Sequence, residues 1–152
     1  MIVDVVDESG DESVDVDDLV ELSTYVLTRL QLHDDTEMTL RLVDEESITA
    51  LNTQWMGADG PTDVLAFPMD ELRVGTPEAP AEPGYLGDLA LCPQVADRQA
   101  GEAGHPAPEE HRLLTVHGIL HLLGHDHADP DEHAQMFGLQ AELLRAWQDQ
   151  RR

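Results

Sequence analysis

The spacing of apolar residues along the chain alternates between a strand-like period and a helix-like period. Alternation of apolar and polar residues predicts strands at 1–6 and 38–42, and apolar runs that stop at prolines predict strands at 64–67 and 86–92. Apolar residues at helical spacing predict five helices: around Leu19, Leu22, Val26 and Leu30, around Ile48, Leu51 and Trp55, at 94–100, at 109–123, and around Met136, Leu139, Leu143 and Trp147. This mixed order indicates an α+β or α/β layer fold, with a small sheet covered by helices.

A segment without periodicity lies between the third and fourth predicted strands. Residues 70–84 contain Pro77, Pro80 and Pro83, so we interpret them as a mobile loop inside one domain of residues 1–152. The chain is long enough for one hydrophobic core, and its single cysteine excludes an intrachain disulfide. The first residues lack the basic start and apolar run of a secretion signal, and no apolar stretch approaches the roughly 20 residues that span a bilayer. We therefore expect a cytoplasmic protein without a membrane partner.

The charge balance narrows the choice of partners. The chain has 8 basic and 32 acidic residues, a net charge of −24, and every basic residue is arginine. Such a surface cannot supply the many cationic phosphate contacts on which indiscriminate nucleic-acid binding depends. The acidity is more simply explained by solubility, since net charge affects solubility and association rather than fold.

The histidines are concentrated in one part of the chain, where seven of the eight lie between His105 and His133. His117 and His121 are four residues apart on a predicted helix, so their imidazoles emerge on one face and can share a metal ion. Gly124 can end the helix in a left-handed conformation and let His127 approach the same point. Three nitrogen donors leave a fourth position open, as in catalytic zinc sites that activate a water molecule.

Two other interpretations of this cluster stay open. One is a histidine-rich surface without a metal, and the other is a structural site closed by a fourth side chain such as His125 or Asp126. Gly118 argues against a zinc protease of the H-E-x-x-H type, because glycine occupies the position of the general-base glutamate. A glycine inside a helix also suggests close approach by another backbone or by a substrate.

Several neighbouring residues receive structural or supporting roles. Asp126 is a candidate to orient a ligand imidazole through its second ring nitrogen, although a role in the turn or at a helix start fits equally well. We expect His133 to pack near the site through the last helix. Four other residues near the motif are predicted to be surface or helix-start residues, namely Glu109, Glu110, His105 and His111. Cys92, Met136 and Trp147 are predicted to belong to the apolar core.

Four segments resemble the YbeY family of bacterial ribosomal-RNA maturation endoribonucleases. Residues 117–127 match the family hallmark H-G-x-L-H-L-x-G-x-D-H throughout. Residues 61–68, Pro-Thr-Asp-Val-Leu-Ala-Phe-Pro, are similar to the family's P-T-D-V-L-S-F-P segment. Asn52 with Trp55 and residues 86–89, Leu-Gly-Asp-Leu, are further matches in the same order and spacing.

The resemblance implies a mixed four-stranded sheet with about five helices and a zinc ion held by His117, His121 and His127. It implies hydrolysis of single-stranded RNA in maturation of the small-subunit (16S) ribosomal RNA 3′ end and in ribosome quality control. The implied partners are ribosomal RNA, the small ribosomal subunit and its assembly proteins, with no DNA partner.

One position departs from the family pattern. The family usually has an arginine shortly before the P-T-D segment, where this chain has Met56. Either another arginine, such as Arg41 or Arg73, reaches the site, or nuclease activity is weaker than the resemblance suggests. The alternatives to a nuclease are a ribosome-assembly binding factor with a mainly structural zinc and a metal hydrolase acting on another small substrate.

Overall fold

The computed structural model describes residues 1–79 and 81–151. In this part of the chain four strands and five helices follow one another in the order β1 Ile2–Asp7, α1 Val16–Arg29, β2 Glu37–Leu42, α2 Glu45–Met56, β3 Val64–Pro68, β4 Tyr85–Leu91, α3 Pro93–Ala103, α4 Ala107–Leu122 and α5 Pro130–Gln150. None of the helices formed by the described residues is long and apolar enough to cross a membrane.

Aspartate side chains fix the starts of three helices. The carboxylate of Asp15 accepts the backbone N–H of Asp18 at the start of α1. In the same way, Asp44 accepts the N–H of Ser47 at the start of α2, and Asp129 accepts that of Glu132 at the start of α5. Each contact satisfies a backbone donor that has no partner within the helix, and negative charge there is favoured by the helix dipole. Part of the acidity of the chain therefore serves local structure.

The strands form one mixed sheet in the order β1-β2-β4-β3. β1, β2 and β4 run parallel, whereas β3 pairs antiparallel with β4 and forms one edge. The parallel pairs require long crossover connections, which α1 and the intervening segments provide. The predicted α+β fold with a mixed four-stranded sheet and five helices is confirmed.

The sheet is buried on both faces at its β3–β4 side. Met38, Leu40 and Leu42 of β2 face the main core, together with residues of α1, α4 and α5 such as Leu22, Ile119 and Trp147. On the opposite face a smaller core contains Ile48, Leu65, Ala90 and Cys92. The prediction that Cys92, Met136 and Trp147 are core residues is confirmed, since all three are fully or almost fully buried.

The segment predicted as a mobile loop is irregular in the part that the structure describes. Residues 71–79 and 81–84 contain neither helix nor strand, and Pro80 lies outside the described residues. Leu72 and Ala81 are buried in the main core, so this segment is anchored to the domain at two points. Its mobility stays a prediction.

Two histidines outside the hallmark motif are more buried than expected. The predicted surface position is wrong for His111, which is only 3% exposed, with its Nε2 2.8 Å from Asp97 Oδ1 of α3, although it does lie near the start of α4. His105 is half-buried and lies 2.5 Å from the carboxylate of Glu110, which is itself buried in the first turn of α4. Packing of α3 against α4 creates the His111–Asp97 pair, which no periodicity in the sequence predicts, whereas His105 and Glu110 are only five residues apart.

A buried carboxylate joins three helices. Asp18 of α1 accepts hydrogen bonds from Arg112 Nε of α4 and from Arg151 Nη1 at the end of α5, both at 2.8 Å. The two guanidinium groups also lie over the ring of Trp147. Burial opposes ionisation of Asp18, but the hydrogen bonds and charges of the two arginines outweigh it and lower the pKa of its carboxyl.

We predict that Asp18→Asn lowers the free energy of unfolding by about 2 kcal/mol at neutral pH, because two cations lose their charged partner. A carboxyl with a lowered native pKa stabilises the fold above its unfolded pKa, and that stabilisation is lost as the pH falls through the native pKa. The difference between wild type and variant in urea denaturation should therefore shrink in acid.

Asp17→Asn is the matched control, since Asp17 is an exposed residue in the first turn of the same helix. Equal destabilisation by Asp17→Asn and Asp18→Asn would contradict a specific role of the cluster.

Candidate metal centre

α4 presents two of the predicted ligands on one face. His117 and His121 are four residues apart in this helix, so both imidazoles point toward the same cavity. Gly118 lies between them and faces the sheet, where a Cβ atom would stand 2.8 Å from Leu89 Cδ2 of β4. The close neighbour expected at Gly118 is thus a leucine side chain rather than a backbone, and the absence of a side chain lets α4 lie close to β4.

A glycine turn brings the third ligand back to the helix. α4 ends at Leu122, and Gly124 has a φ of 93°, the left-handed conformation that the sequence predicts. The N–H groups of Gly124 and His125 donate to the carbonyls of His121 and Leu120, each at 3.0 Å. These bonds close the end of the helix and reverse the chain, so that His127 reaches the same point.

The three imidazoles converge. The ring centroids of His117 and His121 are 4.7 Å apart, and His127 lies 5.7 Å from His117 and 5.3 Å from His121. Each ring offers one nitrogen, and these three nitrogens all lie within 4.8 Å of one another. The His117, His121 and His127 group could therefore hold a metal ion.

The spacing of the His117 and His121 donors fits one shared ion. Two nitrogens bound to a tetrahedral zinc at about 2.05 Å would be roughly 3.3 Å apart, and the Nε2 atoms of His117 and His121 are 3.1 Å apart. Among the described residues, neither His125 nor Asp126 belongs to the cluster, which leaves three protein donors. Three donors rather than four are typical of a site that keeps one position for a water molecule or substrate.

A glutamine of α5 determines which ring nitrogen of His117 faces the other histidines. Gln140 Oε1 lies 2.9 Å from Nδ1 of His117, and Gln140 is buried. An amide oxygen only accepts hydrogen bonds, so Nδ1 of His117 carries a proton, and Nε2 is the ring nitrogen that faces His121. This is the arrangement by which an outer hydrogen bond prepares a histidine for a metal.

The neighbouring imidazole is also held in the form that binds metals. Burial lowers the pKa of His121, and positive charge on His117 or His127 would lower it further. His121 therefore stays neutral to a lower pH than an ordinary histidine, and a neutral imidazole is the metal-binding form.

The ligands open into a cavity of about 430 Å³ between α4, α5 and the edge strand β3. The side chains that shape it beyond the ligands include Thr62, Asp63, Ala66, Glu110, Phe137 and Gln140. Among the described residues that line it, Asp63 and Glu110 supply carboxylates and none is an arginine. The cavity is large enough to admit part of a substrate, but the described residues that line it offer no guanidinium to a phosphate.

The structure gives Asp126 a backbone contact. Its Oδ1 accepts the N–H of His127 at 2.7 Å, and the side chain is exposed. The carboxylate thus stabilises the turn that carries the third ligand. The expectation for His133 is confirmed, since its ring lies 6.3 Å from that of His127.

Arg41 and Arg73, the possible replacements for the family arginine that Met56 displaces, lie away from the metal centre. Arg41 pairs with Glu8 and borders a second cavity, which Met56 also lines, against the opposite face of the sheet. Arg73 borders a different pocket, in the irregular segment. Neither side chain lines the cavity of the metal centre.

Three residues of the site were missed by sequence reasoning, and one of them is Phe137, which lines the cavity. Gln140 is a polar residue in the otherwise apolar stripe of Met136, Leu143 and Trp147, and this interruption is the signal that could have found it. Glu110 was assigned only to the helix start, because nothing local reports that it is buried beside the cavity.

Comparison with known proteins agrees with the hallmark motif. The sequence model of the family described as "Endoribonuclease YbeY" matches residues 4–148. "Endoribonuclease YbeY" of Nocardioides sp. (strain ATCC BAA-499 / JS614) is 56% identical over 97% of this chain and 98% of its own length. The protein of that name from Thermobifida fusca (strain YX) is 54% identical over 97% of this chain and 94% of its own length.

A solved structure shares the fold. The solution structure of TM1509 from Thermotoga maritima has a TM-score of 0.60 and 25% sequence identity, and covers 97% of this chain and 93% of the other. Fold and site together define a single α+β domain with a three-histidine centre in a cavity at the edge of its sheet. The chain belongs to the YbeY family.

We predict that Gln140→Leu weakens the affinity for added Zn²⁺, used as the probe metal, by about 10- to 100-fold, because His117 loses the hydrogen bond that sets its tautomer and orientation. Competition with a chromophoric chelator measures this affinity. Gln135→Leu is the control, since Gln135 is an exposed glutamine on the same helix. Unchanged zinc affinity in Gln140→Leu would contradict the role of Gln140.

Proposed function

We propose that this protein is a zinc-dependent endoribonuclease that hydrolyses single-stranded RNA. The observation that carries the proposal is the convergence of His117, His121 and His127 in an open cavity. Family membership supports it, since the matching relatives are named endoribonucleases. Zinc is the metal that we propose, because three imidazole donors around one ion are a common zinc set in hydrolases.

The residues around the cavity have separate tasks in this mechanism. His117, His121 and His127 would hold the zinc ion, which would supply Lewis acidity toward a phosphodiester and lower the pKa of a water molecule. Gln140 holds the ring of His117, and Asp126 holds the backbone of His127. Asp63 and Glu110 are the carboxylates that line the cavity and could accept a proton from the attacking water.

The biological setting follows from the family resemblance. We propose that the substrate is ribosomal RNA, with action at the 3′ end of the small-subunit RNA and in ribosome quality control, in the cytoplasm. Small-subunit and assembly proteins are the proposed partners. The net charge of −24 favours a docked partner that presents the RNA over unaided capture from solution.

A second candidate is a ribosome-assembly binding factor whose zinc is mainly structural. The observation that favours it is the lack of an arginine among the described residues that line the cavity, together with Met56 at the family's arginine position. The two candidates differ in what loss of the metal does. A structural zinc supports folding, whereas a catalytic zinc supports cleavage.

We predict that His117→Ala, His121→Ala and His127→Ala each reduce cleavage of a defined single-stranded RNA by at least about 1000-fold, since each removes a donor to the catalytic metal. Circular dichroism should show that the variants stay folded. His125→Ala is the control, because His125 lies in the same motif but outside the ligand cluster.

Chelation should abolish cleavage by the wild type, and added Zn²⁺ should restore it. Equal cleavage by wild type and a variant that lacks all three histidines would mean that a contaminating nuclease is responsible. Unfolding on chelation, with no measurable cleavage by the zinc-loaded protein, would favour the assembly-factor alternative.

We predict that Met56→Arg raises RNA affinity several-fold and steepens the dependence of log affinity on log salt by roughly 0.7, as expected for one new phosphate contact. Met56 is exposed and borders the second cavity, which adjoins the metal cavity at Ala66. Fluorescence anisotropy with a labelled single-stranded oligonucleotide measures both quantities.

The matched control is Val6→Arg, because Val6 is an exposed residue of β1 at the other edge of the sheet. An equal gain in Val6→Arg would show that only overall charge matters.

A further inference from the structure

Phe137 is a large apolar side chain that does not belong to the buried stripe of its helix. The buried residues of α5 are Met136, Gln140, Leu143 and Trp147, which pack toward the interior. Phe137 stays 37% exposed and lines the cavity of the metal centre. Exposure of such a ring beside a functional cavity indicates a contact with a ligand rather than with the protein core.

A second ring stacks on Phe137. The imidazole of His133, one helical turn earlier, lies 4.3 Å from the Phe137 ring with an interplanar angle of 18°. The Phe137 ring is 5.5 Å from that of His117 and 6.1 Å from that of His127. The stacked pair therefore lies directly beside two of the three histidines of the candidate metal centre.

The scarcity of cationic groups near the site favours a binding role for the stacked rings. The chain has no lysine, and among the described residues that line the cavity none is an arginine. Arg41, Arg98, Arg112 and Arg151 are paired with carboxylates. Contacts to phosphate are thus scarce beside the metal centre. Stacking of bases on aromatic rings binds single strands without cationic groups, because every base has a π face.

We propose that the stacked rings of Phe137 and His133 form a subsite for one nucleobase of a single-stranded RNA beside the metal centre. This inference rests on the proposed function, because it assumes an RNA strand in the cavity. The pair binds the base next to the reacting phosphodiester and so helps to position that bond. It accepts any base, since stacking carries little sequence information.

The test uses the zinc-loaded full chain and octamers of 2′-O-methyl ribonucleotides, and gel electrophoresis after each binding measurement checks that they are intact. One octamer is complete, and each of the others lacks the base at one position. The wild type should bind one of the abasic octamers about tenfold more weakly than the complete octamer, the loss expected for one stacked base. Phe137→Leu should lose this discrimination, and Phe137→Trp should keep it.

The measured quantity is a ratio within one variant, so a general loss of affinity or of metal cancels. Gln135→Leu, an exposed change on the same helix, should keep the wild-type ratio. The proposal is overturned if the wild type binds all octamers alike, if Phe137→Leu keeps the discrimination, or if Phe137→Trp loses it.

Cleavage of an unmodified RNA by the wild type separates this inference from the proposed function. Cleavage without discrimination among the octamers would refute the subsite and leave the nuclease intact. A wild type that neither cleaves RNA nor binds any octamer would refute the proposed function, and the subsite with it.

Discussion

Three consecutive residues near the start of α4 fix the rotation of that helix, and the metal centre depends on this rotation. Glu110 pairs with His105, His111 with Asp97 of α3, and Arg112 with Asp18 of α1. Successive side chains on a helix point about 100° apart, so His111 and Arg112 hold the helix to α3 and α1 from two directions, and Glu110 joins it to the segment that precedes it. A helix held in this way presents His117 and His121 to the cavity rather than to the core or the solvent.

The other end of α4 is stabilised by close packing rather than by charge. Gly118 allows Leu89 of β4 to approach, while Val116, Ile119 and Leu120 are fully buried. Ligand imidazoles held on a packed helix keep their relative positions when the metal binds. A catalytic site requires such preorganisation, because small displacements of the groups that bind the metal greatly reduce activity.

The acidity of the chain and the proposed chemistry of its cavity are compatible because several carboxylates serve local structure and remote ones are screened by salt. Several carboxylates are committed to structure: Asp15, Asp44 and Asp129 start helices, and Asp18 joins three of them. With a Debye length of about 8 Å at physiological salt, remote carboxylates are largely screened from a bound strand. The acidity therefore weakens RNA capture from a distance more than it affects the reaction. Contacts that do not depend on charge, such as stacking on aromatic rings, therefore become more important for holding an RNA strand at the site.

The sequence by itself determined the features that depend on neighbours along the chain. The four-residue step from His117 to His121, the left-handed Gly124 and the return of His127 are local geometry, so the ligand cluster was predictable. Hydrophobic periods likewise predicted the strands and helices, because burial of one face repeats with the period of each element. Only the tertiary structure decided that Gln140 and Phe137 meet His117, and that His111 is buried against Asp97. These contacts join separate helices, and their partners are set by how the helices pack on the sheet, which no local pattern encodes.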